Sequence, residues 1–434
     1  MLGLSLFIAC RTPLEQLART KWNSGFQNIL IDSSNSISPY RPCEPSIFIS
    51  PTNNQHMVAG VVLNKTFYSH DGGRNWTMQL VESPYGVFGD PVITADYKGY
   101  FYFAHLSDPE GVGRASDRWL DRIVVQRSVD QGVTWSPGSY AGMRHPADQD
   151  KHWLVTDPRT AAIYMTWTEF DKYGSADPQH KSRILFSKSV NQGISWSGAI
   201  PISQREGDCI DSDNTTEGAV PAVGPDGTVY VAWSHGEHIY FDRSVDLGVT
   251  WLERDIIAAN QIGGWDIDIP GLGRANGMPV TGVDLSDSPY RGTIYLNYCD
   301  QKNGPNDTDV WLVRSTDYGE TWSEPVRVND DPPGKHQFFT WMAVDPVTGG
   351  IYIVFYDRRA HADNQTDVFL AASFDGGSTF ENVRISEKPF TPNPTVFFGD
   401  YNNISVNGGV IRPIWTRMDG NRTSIWTALI DLHP

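Results

Sequence analysis

The sequence contains acidic, basic and aromatic residues whose types suit chemistry on a sugar. Neighbouring carboxyl groups can act as general acid and general base, and the flat guanidinium of arginine binds a carboxylate through two parallel hydrogen bonds. Aromatic rings offer apolar surfaces on which a ligand can stack. The candidates are Arg41, Asp90, Asp150, His152, Trp153, Glu217, Arg274, Trp341, Arg358, Arg359, Asp400 and Tyr401. They are spread over most of the chain, so only a particular fold can bring them together.

Composition restricts the folds that could do this. The chain has 434 residues, of which 12% are aromatic and 40 are glycine, and this combination favours many short strands joined by tight turns. The net charge of −17 argues against a surface that binds phosphate or nucleic acid. No apolar run reaches the ~20 residues that a membrane-spanning helix needs. We therefore expect an acidic, all-β protein.

One octapeptide pattern, Ser-x-Asp-x-Gly-x-Thr-Trp, recurs along the chain with small departures. Its six copies begin at Ser69, Ser128, Ser189, Ser244, Ser315 and Ser373, at intervals of roughly 60 residues. Asp and Gly suit a hairpin turn, because the carboxylate accepts backbone N–H bonds and glycine adopts positive φ. The closing residue is Trp in five copies and Phe380 in the sixth. We expect this ring to begin the next strand and to pack between neighbouring repeats.

Each repeat is predicted to contain four antiparallel strands. Upstream of most octapeptides, a turn joins two apolar strands, as between residues 344–346 and 351–356. Four-stranded sheets repeated radially form a β-propeller. Six octapeptides mark six blades, and residues 397–432 contain three further strand-like segments, to which residues 27–31 could add a fourth. The sequence therefore predicts a single seven-bladed propeller domain over residues 25–434, with six blades as the alternative.

This topology predicts the face on which the candidate residues lie. If A to D denote the strands of a blade in chain order, the octapeptide turns join C to D and share a face with the A–B turns. The starts of the A strands and the B–C loops lie on the opposite face, around the central channel. Ligands usually bind on such loops, held by a rigid scaffold. Because the candidate residues fall mostly at those starts and loops, we expect one site at that mouth of the channel.

The octapeptides resemble the Asp boxes, or BNR repeats, of the sialidase (neuraminidase) superfamily. That resemblance implies three arginines that clamp a substrate carboxylate, an Asp acid/base, and a Glu–Tyr pair in which Tyr attacks the anomeric carbon. Residues of these types occur in the family's chain order, as Arg41, Asp90, Glu217, Arg274, Arg358 or Arg359, and Tyr401. The resemblance thus implies a sialidase-like glycoside hydrolase that releases a terminal anionic sugar. Seven blades depart from the six expected of sialidases.

Two other functions remain open for the same residues. A different carbohydrate enzyme could pair two carboxylates, such as Asp150 with Glu217 or Asp400, or act as a lyase through His and Tyr. A non-catalytic propeller could instead bind a glycan or a protein. Each alternative keeps the propeller and changes only the chemistry at the channel mouth.

Several candidates also have a structural interpretation. Asp90 suits the cap of a turn before a strand, and His152 suits a histidine within the core. Arg358 and Arg359 suit a loop cluster of ion pairs with Asp357. If they belong to a site, the residues expected to contact substrate beside the arginines are Asp150, His152, Trp153, Trp341 and Asp400.

The four cysteines include no CxxC pair, so neither a disulfide scaffold nor a zinc site is expected. Cys10 ends a short apolar segment and resembles the lipobox of a bacterial lipoprotein. We therefore expect residues 1–24 to be a leader and linker. The protein would be exported, either as a cell-surface or periplasmic lipoprotein whose only membrane contact is a lipid at Cys10, or as a secreted protein. The expected partner is a glycan, and no cofactor or metal is predicted.

Overall fold

The computed structural model describes residues 25–33 and 41–432 of the chain. Within these residues the strands form seven antiparallel sheets. The innermost strand of each sheet contacts the innermost strands of its two neighbours, so the sheets close into the ring of a β-propeller. The only helix in the described ranges is a single 3₁₀ turn, Gly113–Ala115, and none there is long and apolar enough to cross a membrane. Cys10 lies outside the described residues.

Strand β1 (Asn28–Ser33) precedes the first blade, and each of the next six blades is a run of four consecutive strands. Blade 1 contains β2 (Ser46–Ile49), β3 (Met57–Val61), β4 (Lys65–Ser69) and β5 (Thr77–Leu80). Blade 2 contains β6 (Val92–Ala95), β7 (Phe101–Leu106), β8 (Ile123–Ser128) and β9 (Ser139–Ala141). Blade 3 contains β10 (Asp148–Thr156), β11 (Ile163–Phe170), β12 (Ser182–Ser189) and β13 (Ile200–Pro201).

The second half of the ring repeats this order. Blade 4 contains β14 (Glu217–Val223), β15 (Val229–His235), β16 (His238–Ser244) and β17 (Ile256–Asn260). Blade 5 contains β18 (Val280–Val283), β19 (Ile294–Asp300), β20 (Asp309–Ser315) and β21 (Val326–Arg327). Blade 6 contains β22 (Gln337–Val344), β23 (Ile351–Asp357), β24 (Asp367–Ser373) and β25 (Glu381–Arg384). Blade 7 contains β26 (Asn403–Asn407), β27 (Val410–Asp419) and β28 (Arg422–Ala428), with β29 (Ile430–Asp431) paired to β27.

The two ends of the chain close the ring together. Strand β1 pairs with β28, from Asn28 opposite Ala428 to Ser33 opposite Ser424, and forms the outer strand of blade 7. This confirms the seven blades predicted from residues 27–31 and 397–432 and excludes the six-bladed alternative. Because the two ends of the chain pair within one sheet, the ring of blades is closed by strand pairing.

The octapeptides form the C–D turns, as predicted. In all six copies the Ser hydroxyl accepts the N–H of the Gly four residues later, at 2.8 to 3.0 Å. In the second copy the residue before that Gly, Gln131, also adopts positive φ (66°). The closing Trp135 donates from its indole nitrogen to the hydroxyl of Thr66 in the neighbouring blade at 3.1 Å. The box aromatic therefore joins adjacent blades.

Candidate functional site

A cavity of about 670 Å³ lies at the predicted mouth of the channel. Its volume falls within the range of small-molecule sites. The A-strand starts and B–C loops that the topology singled out supply most of its wall. Among the lining residues are Arg41, Cys43, Glu44, Phe88, Asp90, Arg114, Trp119, Asp150, Lys151, Tyr173, Arg274, Phe397 and Asp400.

A repeated backbone kink positions three of the polar side chains. Glu44, Asp90 and Lys151 adopt positive φ, of 51°, 49° and 52°, at the inner edges of blades 1 to 3. In blade 3 the kink is a β-bulge, because the pairing of β10 with β11 shifts between Asp150 and Trp153. Bulges redirect side chains, and non-glycine residues with positive φ concentrate at functional sites. In a regular strand successive side chains point to opposite faces of the sheet. The kinks break this alternation and place charged side chains in the mouth of the channel.

The centre of the pocket is a buried cluster of charges. The Nζ of Lys151 donates to Oδ2 of Asp400 at 2.9 Å and lies 3.9 Å from Oδ2 of Asp150. The Nε of Arg274 donates to Oδ1 of Asp400 at 2.7 Å. Burial alone would raise the pKa of Asp400, but the Arg274 guanidinium and the Lys151 ammonium lower it to about 2. Asp400 is therefore a permanent carboxylate that holds two cations in place.

Two other carboxyl groups of the pocket are held in the uncharged form. Burial and the Asp400 carboxylate raise the pKa of Glu44 to about 8. Burial and Glu44 raise the pKa of Asp90 well above its usual range, and the buried Oδ2 of Asp90 has no hydrogen-bond partner among the described residues. Burial therefore favours the protonated form of Asp90, a carboxylic acid whose proton is available to a ligand.

With Glu44 and Asp90 uncharged, basic groups outnumber carboxylates in the pocket wall. The basic lining residues are Arg41, Arg114, Lys151 and Arg274, and the remaining lining carboxylates are Asp150 and Asp400, while Asp211 and Asp266 adjoin the wall. A chain with a net charge of −17 therefore presents a locally positive cavity. Such a cavity favours an anionic ligand, because low-dielectric walls strengthen local fields.

A tyrosine–carboxylate pair forms part of the wall. The hydroxyl of Tyr173 donates to Oδ2 of Asp211 at 2.6 Å, and Nη1 of Arg274 lies 3.0 Å from the same oxygen. Burial raises the pKa of Asp211, but Lys151 and Arg274 outweigh burial and lower it. Burial raises the pKa of Tyr173. The pair is therefore neutral tyrosine beside ionised aspartate, with the phenolic proton already directed at a base.

Five predicted site residues line the pocket together: Arg41, Asp90, Asp150, Arg274 and Asp400. Glu217 and Tyr401 are buried close to this wall but are not part of it. Burial and Asp211 raise the pKa of Glu217, and burial, Asp90 and Glu44 raise that of Tyr401. Among the described residues, no hydrogen bond joins Glu217 to Tyr401, and the Tyr401 hydroxyl has no partner.

The predicted aromatic and histidine contacts lie elsewhere. Trp153 and Trp341 are buried, with ring centroids 4.2 Å apart, and Tyr401 packs edge-on against Trp153. Both tryptophans line a second, largely apolar cavity instead of the charged pocket. His152 is also buried, and burial lowers its pKa to about 3. A β-bulge lies just before each tryptophan, in β10 and in β22, and both rings point into the core. The exposed ring at the pocket is Phe397, and the guanidinium of Arg274 lies 5.3 Å from its centroid.

Arg358 and Arg359 are placed outside the pocket wall by their own contacts. The Nη1 of Arg358 donates to the carbonyl of Pro270 at 2.6 Å, and its guanidinium lies 5.1 Å from the Phe338 ring. Arg359 forms an ion pair with Asp357 at 2.8 Å, as in the structural interpretation of this segment. The third arginine of the pocket is Arg114 instead.

Sequence reasoning missed several lining residues. Glu44 and Lys151 stand at A-strand starts, the positions from which the site was predicted, but nothing in the sequence assigns either a role. Arg114, Trp119 and Tyr173 stand in B–C loops, where no periodicity predicts which side chains point inward.

Comparisons with known proteins agree with this architecture. Residues 67–78 match the BNR/Asp-box repeat family. A protein of unknown function from Dyadobacter fermentans DSM 18053 superposes with a TM-score of 0.52 at 12% identity, over 94% of this chain and 98% of its own. An ulvan lyase, a polysaccharide lyase, superposes with a TM-score of 0.56 at 12% identity, over 93% and 96%. A Hadza microbial sialidase superposes with a TM-score of 0.50 at 15% identity, over 87% and 73%. At such identities the similarity shows a shared fold, and the chain is a propeller of seven blades, six of which carry an Asp box.

Proposed function

We propose that this protein is a sialidase-like glycoside hydrolase that removes a terminal anionic sugar from a glycan. The observation that carries the proposal is Asp90, an uncharged carboxylic acid in the same cavity as Arg41 and Arg274. A protonated acid can donate to a departing glycosidic oxygen, and arginine matches the geometry of a sugar carboxylate. The coexistence of both groups in one cavity distinguishes this site from a simple binding surface.

The proposed roles follow from the positions of the side chains. Arg41 and Arg274 hold the sugar carboxylate, and Asp90 protonates the leaving oxygen as the glycosidic bond breaks. Tyr173 forms the new bond to the anomeric carbon and passes its phenolic proton to Asp211. Water then displaces the tyrosine, giving a proton to the Asp90 carboxylate, while the phenolate recovers its proton from Asp211.

Tyr173 is chosen over Tyr401 for the nucleophile because it lines the cavity and its hydroxyl is already hydrogen-bonded to a carboxylate. The family resemblance favours the other pair, Tyr401 with Glu217. The two assignments differ in which phenylalanine variant loses activity, so one pair of variants separates them.

The test compares two sialosides with different leaving groups. Methylumbelliferone departs readily without a proton, whereas the lactose of sialyllactose needs one. We expect Asp90→Asn to lower kcat/KM for sialyllactose by about 10³-fold and that for the methylumbelliferyl sialoside by about 10-fold at most. Tyr173→Phe should abolish turnover of both substrates, and Tyr401→Phe should retain it.

Other outcomes point to other functions. Equal losses on the two substrates in Asp90→Asn would remove Asp90 as the acid. Activity that survives Tyr173→Phe but not Asp150→Asn would support a two-carboxylate glycosidase. Turnover of neither sialoside by the folded wild-type protein would overturn the sialidase-like assignment.

A further inference from the structure

The guanidinium of Arg114 lies beside two aromatic rings at the edge of the pocket, and these rings meet edge to face with their centroids 6.1 Å apart. Its Cζ is 5.1 Å from the Trp119 ring centroid and 5.2 Å from the Tyr173 ring centroid. Cation–π contact with two rings restrains the position of a guanidinium and leaves its N–H groups free to bind. Arg114 is therefore presented to the cavity in a restrained position.

Arg114 differs from its neighbours on the same loop because its guanidinium forms no ion pair with a carboxylate of the described residues, although burial raises the pKa of Asp148 and the charge of Arg114 acts to lower it. Arg122 also lies over two rings, those of Tyr85 and Tyr140, but both edges of its guanidinium donate to Asp121, at 2.7 and 2.5 Å. Arg118 lies 3.8 Å from a carboxylate oxygen of Glu110. Among the described residues, Arg114 has neither a hydrogen bond nor an ion pair. In a chain with 51 acidic residues, an exposed arginine kept free at a cavity is available to an anion of the ligand.

Tyr173 separates Arg114 from the other cationic wall. One face of the Tyr173 ring carries Arg114, while its hydroxyl end binds Asp211, which in turn pairs with Arg274. The two guanidinium groups thus approach Tyr173 at different places, Arg114 over the ring and Arg274 through Asp211 at the hydroxyl. A single carboxylate held by Arg274 and Arg41 does not need Arg114 as well.

We propose that Arg114 binds a second anionic group, a carboxylate or a sulfate ester, on the sugar that adjoins the cleaved residue. This rests on the proposed function, because it takes the first anion to be the carboxylate of a terminal sugar. Arg114 is then a specificity-determining residue, and the substrate class narrows to glycans with anionic groups on two adjoining sugars. The side chains of Arg114, Trp119 and Tyr173 together form the second subsite.

The experiment measures equilibrium binding by calorimetry in the full chain carrying Asp90→Asn, which slows turnover of lactose-linked substrates by the expected factor of about 10³. The probes are sialyllactose, the same trisaccharide with a sulfate ester on galactose, and disialyllactose with two linked sialic acids. We expect one or both doubly anionic probes to bind 10- to 100-fold more tightly than sialyllactose. Arg114→Gln should abolish that gain and leave the affinity for sialyllactose within about twofold.

Arg118→Gln is the matched control, since it removes the same charge from the same loop outside the cavity. It should preserve the gain. Arg114→Lys, which keeps the charge but loses the flat stacking surface, should retain part of it. A gain with only the sulfated or only the disialyl probe supports the proposal and identifies the anion. Unchanged circular dichroism and thermal midpoints establish that the variants are folded.

The proposal is overturned if the second anion adds no affinity, or if Arg114→Gln and Arg118→Gln weaken binding equally, which would indicate only the general field of the loop. In either case, cleavage of sialyllactose by the wild-type protein would still support the proposed function. If wild type cleaves no sialoside and the Asp90→Asn protein binds no probe, both proposals fail together.

Discussion

The two faces of the propeller differ in how the carboxyl groups of their aspartates are hydrogen-bonded and ionised. In the Asp box of blade 5, Oδ1 of Asp317 accepts the Ser315 hydroxyl at 2.7 Å and the Thr321 N–H at 3.0 Å. Its Oδ2 accepts the Thr321 hydroxyl at 2.6 Å. These bonds, that from the Thr321 hydroxyl first, lower the pKa of Asp317 to about 2. The box aspartate is a permanently ionised part of the scaffold.

At the channel mouth, Asp90 is buried without such partners, whereas Asp400 is ionised because Arg274 and Lys151 donate to it. Asp90 has an oxygen with no hydrogen-bond partner among the described residues, and burial keeps it uncharged. A buried polar group left unsatisfied lowers stability, so such a group persists in a fold mainly where it does chemistry. The difference indicates that one face stabilises the ring and the other presents reactive groups on it.

The largest expected effect comes from making the same substitution on both faces. Asp90→Asn removes the proposed acid, so kcat/KM for sialyllactose should fall by about 10³-fold, while the thermal midpoint at pH 7 stays unchanged or rises. Asp317→Asn should leave kcat/KM within about twofold. Steady-state kinetics and thermal unfolding of both variants check this. A loss of activity in Asp317→Asn comparable to that in Asp90→Asn would break the division between the faces.

The propeller fold could be predicted from the sequence because each Asp box is stabilised by hydrogen bonds within its own eight residues. Each octapeptide contains all the groups that satisfy one another, so pattern alone predicts the turn and its period predicts the blades. The arrangement of side chains at the channel mouth depends on contacts between residues that are far apart in the sequence. Asp90 and Arg274 were predicted there, but the bulge that buries Trp153 and the contacts that hold Arg358 depend on tertiary structure. Which way a side chain turns at a kink cannot be derived from its spacing.

The next largest effect concerns the buried lysine. Lys151→Met should destabilise the protein by about 3 kcal/mol, because Asp150 and Asp400 lose a buried cation that lies within 4 Å of both. Lys188→Met, on the opposite face, removes a bond from an exposed Nζ to the carbonyl of Leu247 and should change stability by less than about 0.5 kcal/mol. Denaturant unfolding measures both. Equal effects would show that the central charge cluster is not a stabilising element.

A third difference lies in the dependence of stability on pH. Glu44 has an ordinary value of 4.5 and a folded pKa of about 8, so between these values the folded state binds more protons than the unfolded state. Stability must then fall as pH rises through this window. We expect the wild type to lose about 2 kcal/mol between pH 5 and pH 8.5, less than the shift alone implies, because Glu44 titrates together with its neighbours.

Glu44→Gln isolates the contribution of this carboxyl group. An amide oxygen can still accept the bond from the Asp400 N–H, which is 3.1 Å in the wild type. The variant should match the wild type at pH 5 and exceed it at pH 8.5 in unfolding midpoint. A wild-type midpoint that rises across this range would contradict an uncharged Glu44.

The smallest effect should come from exchanging Asp and Asn between two boxes. The third box already contains Asn191, whose Oδ1 accepts the Ser189 hydroxyl at 2.9 Å and the Ser195 N–H at 3.0 Å. Its Nδ2 donates to the Ser195 hydroxyl at 2.8 Å, the reverse of the bond that Thr321 donates to Asp317.

Because a hydroxyl both donates and accepts, Asn can replace Asp in a box with every partner satisfied. Asp317→Asn and Asn191→Asp should therefore each change the free energy of unfolding by less than about 1 kcal/mol, whereas Asp317→Ala, which leaves Ser315 and Thr321 without their acceptor, should lower it by about 1 to 2 kcal/mol. Denaturant titrations of the three variants and the wild type measure these changes in the free energy of unfolding. If Asp317→Asn were as damaging as Asp317→Ala, the negative charge itself, and not the pattern of hydrogen bonds, would stabilise the turn.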